Sequence, residues 1–158
     1  MAPQKKDAAH EELLSILQTG KHRLEYLTPN DWTLIVDRAR RLSVPKDEVL
    51  IQAGKQHKTV YLVVKGAARV ETAAKAFIAR LEPGEVFGEM AFLENSVASA
   101  TVTATAGLEV CAIEWSALQD LFELYPHLGS RFYRSLAVNL SRRLRDVIMV
   151  RQGAKSVQ

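Results

Sequence analysis

Cysteine, histidine and long apolar runs are all scarce in this sequence. The 158 residues include one cysteine, Cys111, which has no partner for a disulfide within the chain and is predicted to be a small core residue. No apolar run approaches the roughly 20 residues that a membrane-spanning helix needs, and the N-terminus lacks the apolar segment of a signal peptide. We therefore expect a cytoplasmic protein without a membrane partner.

Catalytic and metal-binding motifs are absent as well. The four histidines lie on separate predicted elements, and none forms the H-x-H pair of a cupin-type metal site. The sequence has no G-x-S-x-G nucleophile motif. Glu85 and Glu89 flank one turn, where carboxylates more often cap backbone groups or bind a ribose than act as acid and base. We predict that the protein is not an enzyme, has no catalytic residue, and holds neither a metal nor a cofactor.

Charge is balanced overall but uneven along the chain. The net charge is +3, yet one acid, Asp146, stands against seven basic residues from Pro126 onward: Arg131, Arg134, Arg142, Arg143, Arg145, Arg151 and Lys155. We interpret this basic face as the solvated side of a dimer helix. Binding to a phosphate backbone or to an acidic partner protein remains an alternative.

Two helices are predicted in the N-terminal quarter of the chain. Residues 1–8 are polar and expected to be disordered, and the segment 8–20 has leucines at helical spacing before a glycine. A second helix is predicted to start at Thr28 as N-cap, with Pro29 in the first helical position, and to end near Arg41.

Short apolar segments separated by turns occupy the chain from Val44 to Glu114. At least six of them recur every 8–12 residues or so, a pattern typical of an antiparallel sandwich or barrel. The helical period then returns in a short helix that Pro126 closes. Beyond it, apolar residues recur every fourth position: Leu128, Phe132, Leu136, Leu140, Leu144 and Ile148. A stripe of this length predicts burial against something outside a small barrel, most simply a second copy of the chain.

The stretch EPGEVFGEMAFLE joins two glycines, Gly84 and Gly88, to a short helical turn. The first N–H groups of such a turn have no helical acceptor, so they can bind an anion. Glu89 stands beside them, where its carboxylate can accept hydrogen bonds from a sugar hydroxyl.

Together with its flanks, this turn resembles the cyclic-nucleotide-binding domain family, which includes the effector domains of catabolite-activator-type regulators. The resemblance spans roughly residues 27–147 and rests on AGKQHKTVYLVVKGAARV, LEPGEVFGEMAFLE, and SATV followed by LEVCAIE. It implies a mainly β fold with flanking helices: an eight-stranded antiparallel jelly-roll-like β-roll, N-terminal helices and a long C-terminal helix. The expected segments are an N-terminal arm and helix (1–26), the roll (27–125), and a hinge with the dimer helix (126–158).

The resemblance also implies a phosphate-binding cassette. Gly88 matches the glycine whose amide approaches the ligand, and Glu89 matches the acid that binds the ribose 2′-hydroxyl. Met90 opens the helical turn that supplies N–H groups. Ser99 and Ala100 match the small residues that face the cyclic phosphate.

Two further groups of residues are expected to contact the base of the ligand. Ala79 and Leu81 share one face of the strand FIARL by alternation, where the family lines its base pocket. Phe132 or Tyr133 is expected to supply an aromatic lid from the last helix.

The sequence departs from the family at Ala98, where strong binders carry an arginine that pairs with the phosphate. Losing such a contact typically costs about 2–5 kcal/mol, so we expect weak binding of cyclic AMP or cyclic GMP at best. Lys55, His57, Lys58 and Arg80 are predicted to be solvated surface charges. The alternative is that one of them reaches a phosphate, or that the pocket prefers a cyclic dinucleotide.

These observations predict a stand-alone sensor that binds a cyclic-nucleotide-type ligand and signals to a partner protein through its C-terminal helix, as a homodimer. The main alternative is a degenerate dimeric scaffold that binds no nucleotide. DNA binding is not expected, because no helix-turn-helix follows the long helix.

Overall fold

A computed structural model of the chain describes the backbone of residues 5–156 and the side chains of residues 10–153. Its helices are α1 (Lys5–Thr19), α2 (Pro29–Val36), α3 (Glu89–Glu94), α4 (Trp115–Leu124) and α5 (Pro126–Ser156). Its strands are β1 (Arg40–Val44), β2 (Val49–Ile51), β3 (Thr59–Lys65), β4 (Ala68–Glu71), β5 (Phe77–Leu81), β6 (Val86–Phe87), β7 (Thr101–Ala104) and β8 (Leu108–Glu114).

The eight strands form two four-stranded antiparallel sheets, which confirms the predicted roll. The first sheet has the order β1-β8-β3-β6 and the second the order β2-β7-β4-β5. Strand β3 is buried on both faces. Val60, Leu62 and Val64 pack toward the helices, whereas Val63 packs inside the roll. Burial on both faces explains why TVYLVV is continuously apolar rather than alternating.

All five helices share one core with the first sheet. That core includes Leu17 of α1, Trp32 of α2, Leu121 of α4 and Phe132 of α5. The predicted segments 1–26, 27–125 and 126–158 therefore all contribute to one packed cluster. Their boundaries as separate units remain a prediction.

The two N-terminal helices differ from the sequence-based expectation at their ends. Helix α1 begins at Lys5, so residues 5–8, which were expected to be disordered, are helical, and residues 1–4 lie outside the described residues. Helix α2 begins as predicted, with a capping box between Thr28 and Asp31. It ends at Val36 rather than near Arg41, because Arg40–Val44 pairs with β8 as strand β1.

Helix α5 is 31 residues long, about 46 Å at 1.5 Å per residue. The predicted four-residue stripe divides into two halves. Leu128, Phe132 and Leu136 are buried in the chain's own core, contrary to the expectation of burial outside the roll, whereas Leu144 and Ile148 are exposed. The division follows from geometry: a four-residue step turns about 40° beyond a full helical turn, so the stripe rotates off the core within four steps.

Several arginines of α5 contact the N-terminal segment rather than only solvent. Arg131 forms a two-pronged ion pair with Asp31 at 2.6 and 2.8 Å, and Arg142 pairs with Glu25. Arg134 lies 4.0 Å from the ring centroid of Tyr26. Across residues 5–156 no helix combines the length and apolar character that crossing a membrane requires.

Candidate ligand-binding site

A hollow opens between the inner face of the second sheet and helix α3. Gly88 makes it possible, because it precedes α3 with φ of +85° and its backbone packs closely on β3. A Cβ at Gly88 would lie 2.7 Å from the carbonyl oxygen of Thr59, which is shorter than any normal contact. The backbone therefore folds tightly enough to place Glu89 at the first position of α3.

The hollow has an apolar floor and a polar rim. Its apolar lining comes from every strand of the second sheet and from β6: Ile51, Val70, Leu81, Phe87 and Val102. Polar side chains at its edge belong to His57, Glu89, Ser99 and Arg143. Such a combination is typical of small-molecule sites. The volume of the hollow is about 100 Å³, below the roughly 300–1,000 Å³ of most ligand pockets, so it must widen to enclose a nucleotide.

Glu89 is the buried charged group of the hollow. Only 4% of the residue is exposed, and burial raises the pKa of its carboxyl above the usual value. A hydrogen bond from its own backbone N–H and the charge of Arg143 act in the opposite direction, and the nearby Glu85 adds to the increase. A carboxylate kept in this costly position marks a functional-site candidate.

Arg143 brings helix α5 to the hollow. Its Nη1 lies 3.6 Å from Oε1 of Glu89, and its side chain is 36% exposed. In a second contact between the two helices, Tyr133 of α5 stacks on Phe92 of α3 with ring centroids 6.3 Å apart. Helix α5 therefore contacts the glutamate and the helix that carries it.

His57 lies close to Gly88: a Cβ at Gly88 would be 3.2 Å from Cε1 of His57. Its Nδ1 is 3.2 Å from the carbonyl oxygen of Thr59, and its ring meets the edge of Trp115 at 5.6 Å. Burial lowers the pKa of His57, partly offset by the Thr59 contact. The imidazole is therefore mainly neutral at pH 7, where it can form hydrogen bonds but carries little charge.

The segment Ala98–Ala100 lines the hollow together with Glu89. Its position is fixed by two backbone hydrogen bonds with the 52–55 turn: Ala98 N–H donates to Lys55 at 3.0 Å, and Gly54 N–H donates to Ala98 at 2.8 Å. The Ala98 methyl group is buried and lines the hollow, whereas Ser99 lies exposed at its mouth.

The structure brings seven of the ten predicted ligand-binding residues into this one hollow: Leu81, Gly88, Glu89, Met90, Ala98, Ser99 and Ala100. These residues come from three separate stretches of sequence. Their convergence is the geometry that the resemblance implied, while their contact with a ligand remains a prediction.

The other three predicted residues do not line the hollow. Ala79 is on the expected face of β5, but Val70, its partner in β4, takes the lining position. Phe132 is buried in the helical core, where it contacts Phe122. Tyr133 packs on Phe92 and reaches the site only through that ring.

Of the basic residues considered as substitutes for an arginine at position 98, only His57 lines the hollow. Lys55 and Lys58 are exposed on the loop, and Arg80 pairs with Glu82 at 3.5 Å. Arg143 was not predicted as a site residue. The sequence places it on the same helix face as Leu136, which it follows by seven residues and from which it falls about 20° around the helix axis, but does not show that this face reaches the hollow.

No group of three or more histidine, cysteine, aspartate or glutamate side chains suited to a metal ion occurs within the described part of the chain. The expected absence of a metal site remains a prediction for the whole chain.

Comparison with known sequences identifies a family. Residues 41–125 match the family described as cyclic nucleotide-binding domain. A relative from Dictyostelium discoideum, cyclic GMP-binding protein C, is 30% identical over 139 residues, covering 80% of this chain. The chain spans only 5% of the length of that relative.

Solved structures with the same fold include two bacterial proteins. The catabolite activator protein of Thermus thermophilus superposes with a TM-score of 0.68 at 26% identity, over 84% of this chain and 62% of that protein. A cyclic nucleotide-binding domain from Methylobacillus flagellatus gives a TM-score of 0.73 at 21% identity, over 89% of this chain and 80% of that one.

Proposed function

We propose, from the premise that the chain belongs to the cyclic nucleotide-binding domain family, that it is a sensor that binds a cyclic nucleotide in the hollow and reports binding through α5. The observation that carries this proposal is the convergence of seven predicted residues on one hollow. A cytoplasmic location and the absence of catalysis are part of the same proposal.

The lining suits the three parts of a cyclic nucleotide. The apolar floor offers a surface for the base, and the buried Glu89 carboxylate can accept a hydrogen bond from a ribose hydroxyl. The segment Ala98–Ala100 lines the same hollow with small side chains, so a phosphate can approach its backbone closely.

Binding is expected to move α5, because the hollow is smaller than the ligand. A ribose that reaches Glu89 must open the contact between Glu89 and Arg143. The helix that carries Arg143 then loses one of its attachments to the roll. Ligand binding would therefore favour a second position of α5, as a shift between two populated states.

The exposed half of α5 is the proposed output surface. Leu144, Val147 and Ile148 lie on it with 61, 53 and 46% of their surface exposed. Apolar side chains at this spacing pack well against a second copy of the same helix. We propose a homodimer through this face, read by a downstream partner protein.

Calorimetric titration of the purified chain with cyclic AMP, cyclic GMP and cyclic di-GMP tests the proposal. We expect one mononucleotide to bind with a Kd between about 1 µM and 1 mM, because the lining lacks an arginine at position 98. The variant Glu89→Gln should weaken that ligand at least about tenfold, whereas Glu94→Gln on the exposed side of α3 should leave it unchanged.

Binding of only the cyclic dinucleotide would contradict the ligand class but retain a sensor. If no ligand binds at millimolar concentration while the chain remains folded and dimeric, the sensor is wrong and the nucleotide-independent scaffold replaces it.

A further inference from the structure

We infer that Arg143, carried on α5, is the cation that binds the phosphate of the ligand. The inference rests on the proposed function and adds to it the source of the positive charge. That charge would then lie on α5, the helix that is proposed to move, rather than on the roll.

The ligand and the hollow both carry negative charge. A cyclic phosphate is an anion, and the hollow already contains the buried Glu89. Entry of a second negative group without a cation would leave two like charges close together in a poorly solvated site. A cationic partner is therefore required near Glu89.

Among the side chains of residues 10–153, Arg143 is the one lysine or arginine that lines the hollow. His57 lines it too, but it is mainly neutral at pH 7 because burial lowers its pKa. Position 98, where the family resemblance implies an arginine, holds a buried methyl group.

The position of Arg143 suits a contact with the phosphate. Its Nη1 lies 3.6 Å from Oε1 of Glu89, and it lines the same hollow as Ser99 and Ala100. This separation exceeds a hydrogen bond, so the guanidinium is held by charge attraction and has N–H donors free for another acceptor. Its side chain is 36% exposed, which leaves it room to turn toward an incoming phosphate.

Ligand binding would exchange the partners of Arg143 and Glu89. Without ligand, Arg143 compensates the buried charge of Glu89. With ligand, the ribose hydroxyl donates to Glu89 and the guanidinium donates to phosphate oxygens, a charge-assisted contact. Because the new partner lies elsewhere in the hollow, the exchange moves α5 relative to the roll.

Calorimetry on Arg143→Gln tests the inference against a matched control. Arg145→Gln makes the same charge change on the exposed opposite side of α5. We expect Arg143→Gln to weaken the cyclic nucleotide bound by the unaltered chain about tenfold to a hundredfold, and Arg145→Gln less than twofold. The double variant Ala98→Arg with Arg143→Gln should recover at least tenfold of the loss, because it returns a cation to the rim.

A second comparison separates phosphate binding from an indirect role through Glu89. If Arg143 contacts the phosphate, Arg143→Gln must weaken binding by a similar factor in the Glu89→Gln background. If Arg143 only orients Glu89, the effect disappears there and the inference is overturned. Binding that Arg143→Gln leaves intact also overturns it while the sensor survives, whereas an unaltered chain that binds no cyclic nucleotide overturns both.

Discussion

Two glycines with similar backbone angles play different roles at the scale of single residues. Gly88 and Gly107 have φ of +85° and +75°, but only a side chain at Gly88 would collide with another part of the chain. We expect Gly107→Ala to lower the free energy of unfolding by about 1 kcal/mol, from backbone strain alone. Gly88→Ala should cost at least about 1 kcal/mol more.

Urea unfolding of the two variants measures this difference. Equal losses of unfolding free energy would mean that the backbone at Gly88 is not packed tightly against Thr59, which would contradict the described geometry of the hollow.

Glu89 is expected to cost stability in the ligand-free protein. Burial raises the pKa of its carboxyl in the folded state above the pKa in the unfolded state. Between these two pKa values the folded chain binds more protons than the unfolded chain, so the free energy of unfolding falls as pH rises through that range. Glu89→Gln should therefore raise the free energy of unfolding by about 1 kcal/mol at pH 7.

The measurement is the free energy of unfolding of Glu89→Gln and of the unaltered chain, compared across a pH series. The gain should shrink toward zero below about pH 4, where the carboxyl is protonated in both states. A loss of stability at pH 7 would show instead that the ion pair with Arg143 outweighs the cost of burial.

At this scale the family resemblance, carried by one local stretch of sequence, predicted that Gly88, Glu89 and Ser99 share a site, and all three line the hollow. Arg143 was not predicted. Arg143 joins them only because α5 packs back across the roll, and that packing depends on contacts between distant segments.

At the scale of whole elements, α5 is divided between a buried and an exposed half. Leu136 is 1% exposed and Leu144 is 61% exposed, although both belong to the same four-residue pattern. We expect Leu136→Ala to lower the free energy of unfolding by about 2–5 kcal/mol. Leu144→Ala should change it by less than about 0.5 kcal/mol.

Chemical unfolding at low protein concentration, where any dimer dissociates, tests the pair. Similar losses for both variants would show that the C-terminal half of α5 packs on the roll.

The elements whose ends the sequence predicted well carry local stop or start motifs. The start of α2 follows from Thr28, Pro29 and Asp31, and the end of α4 from Pro126. Local pattern failed at the end of α2, because strand β1 forms only by pairing with β8 far along the chain. A four-residue period likewise predicted α5 but not where its stripe leaves the core.

At the scale of the whole molecule, the exposed half of α5 predicts association. Val147→Glu would place charges at the centre of the proposed helix pair, and we expect it to shift the protein toward monomer in sedimentation velocity runs across a concentration series. The control Gln152→Glu adds the same charge to the same exposed half of the helix, away from Val147. A monomeric unaltered chain, or equal effects of both variants, would contradict the proposed dimer face.

The fold and the site depend on the same packing, since α5 both completes the core and reaches Glu89. The hollow is therefore lined by both the roll and α5. In the proposed function, the helix that contacts Glu89 also carries the proposed dimer face, so no separate transmitting element is needed.

An NMR titration of the ¹⁵N-labelled chain with cyclic AMP and with cyclic GMP tests the proposed ligand site most directly. We expect one of the two nucleotides to shift the amide signals of Gly88–Ala91 and Ser99–Ala100 first, together with signals of α5 around Arg143. No change in these amides at saturating nucleotide, or changes confined to other surfaces, would contradict the claim that this hollow is the ligand site.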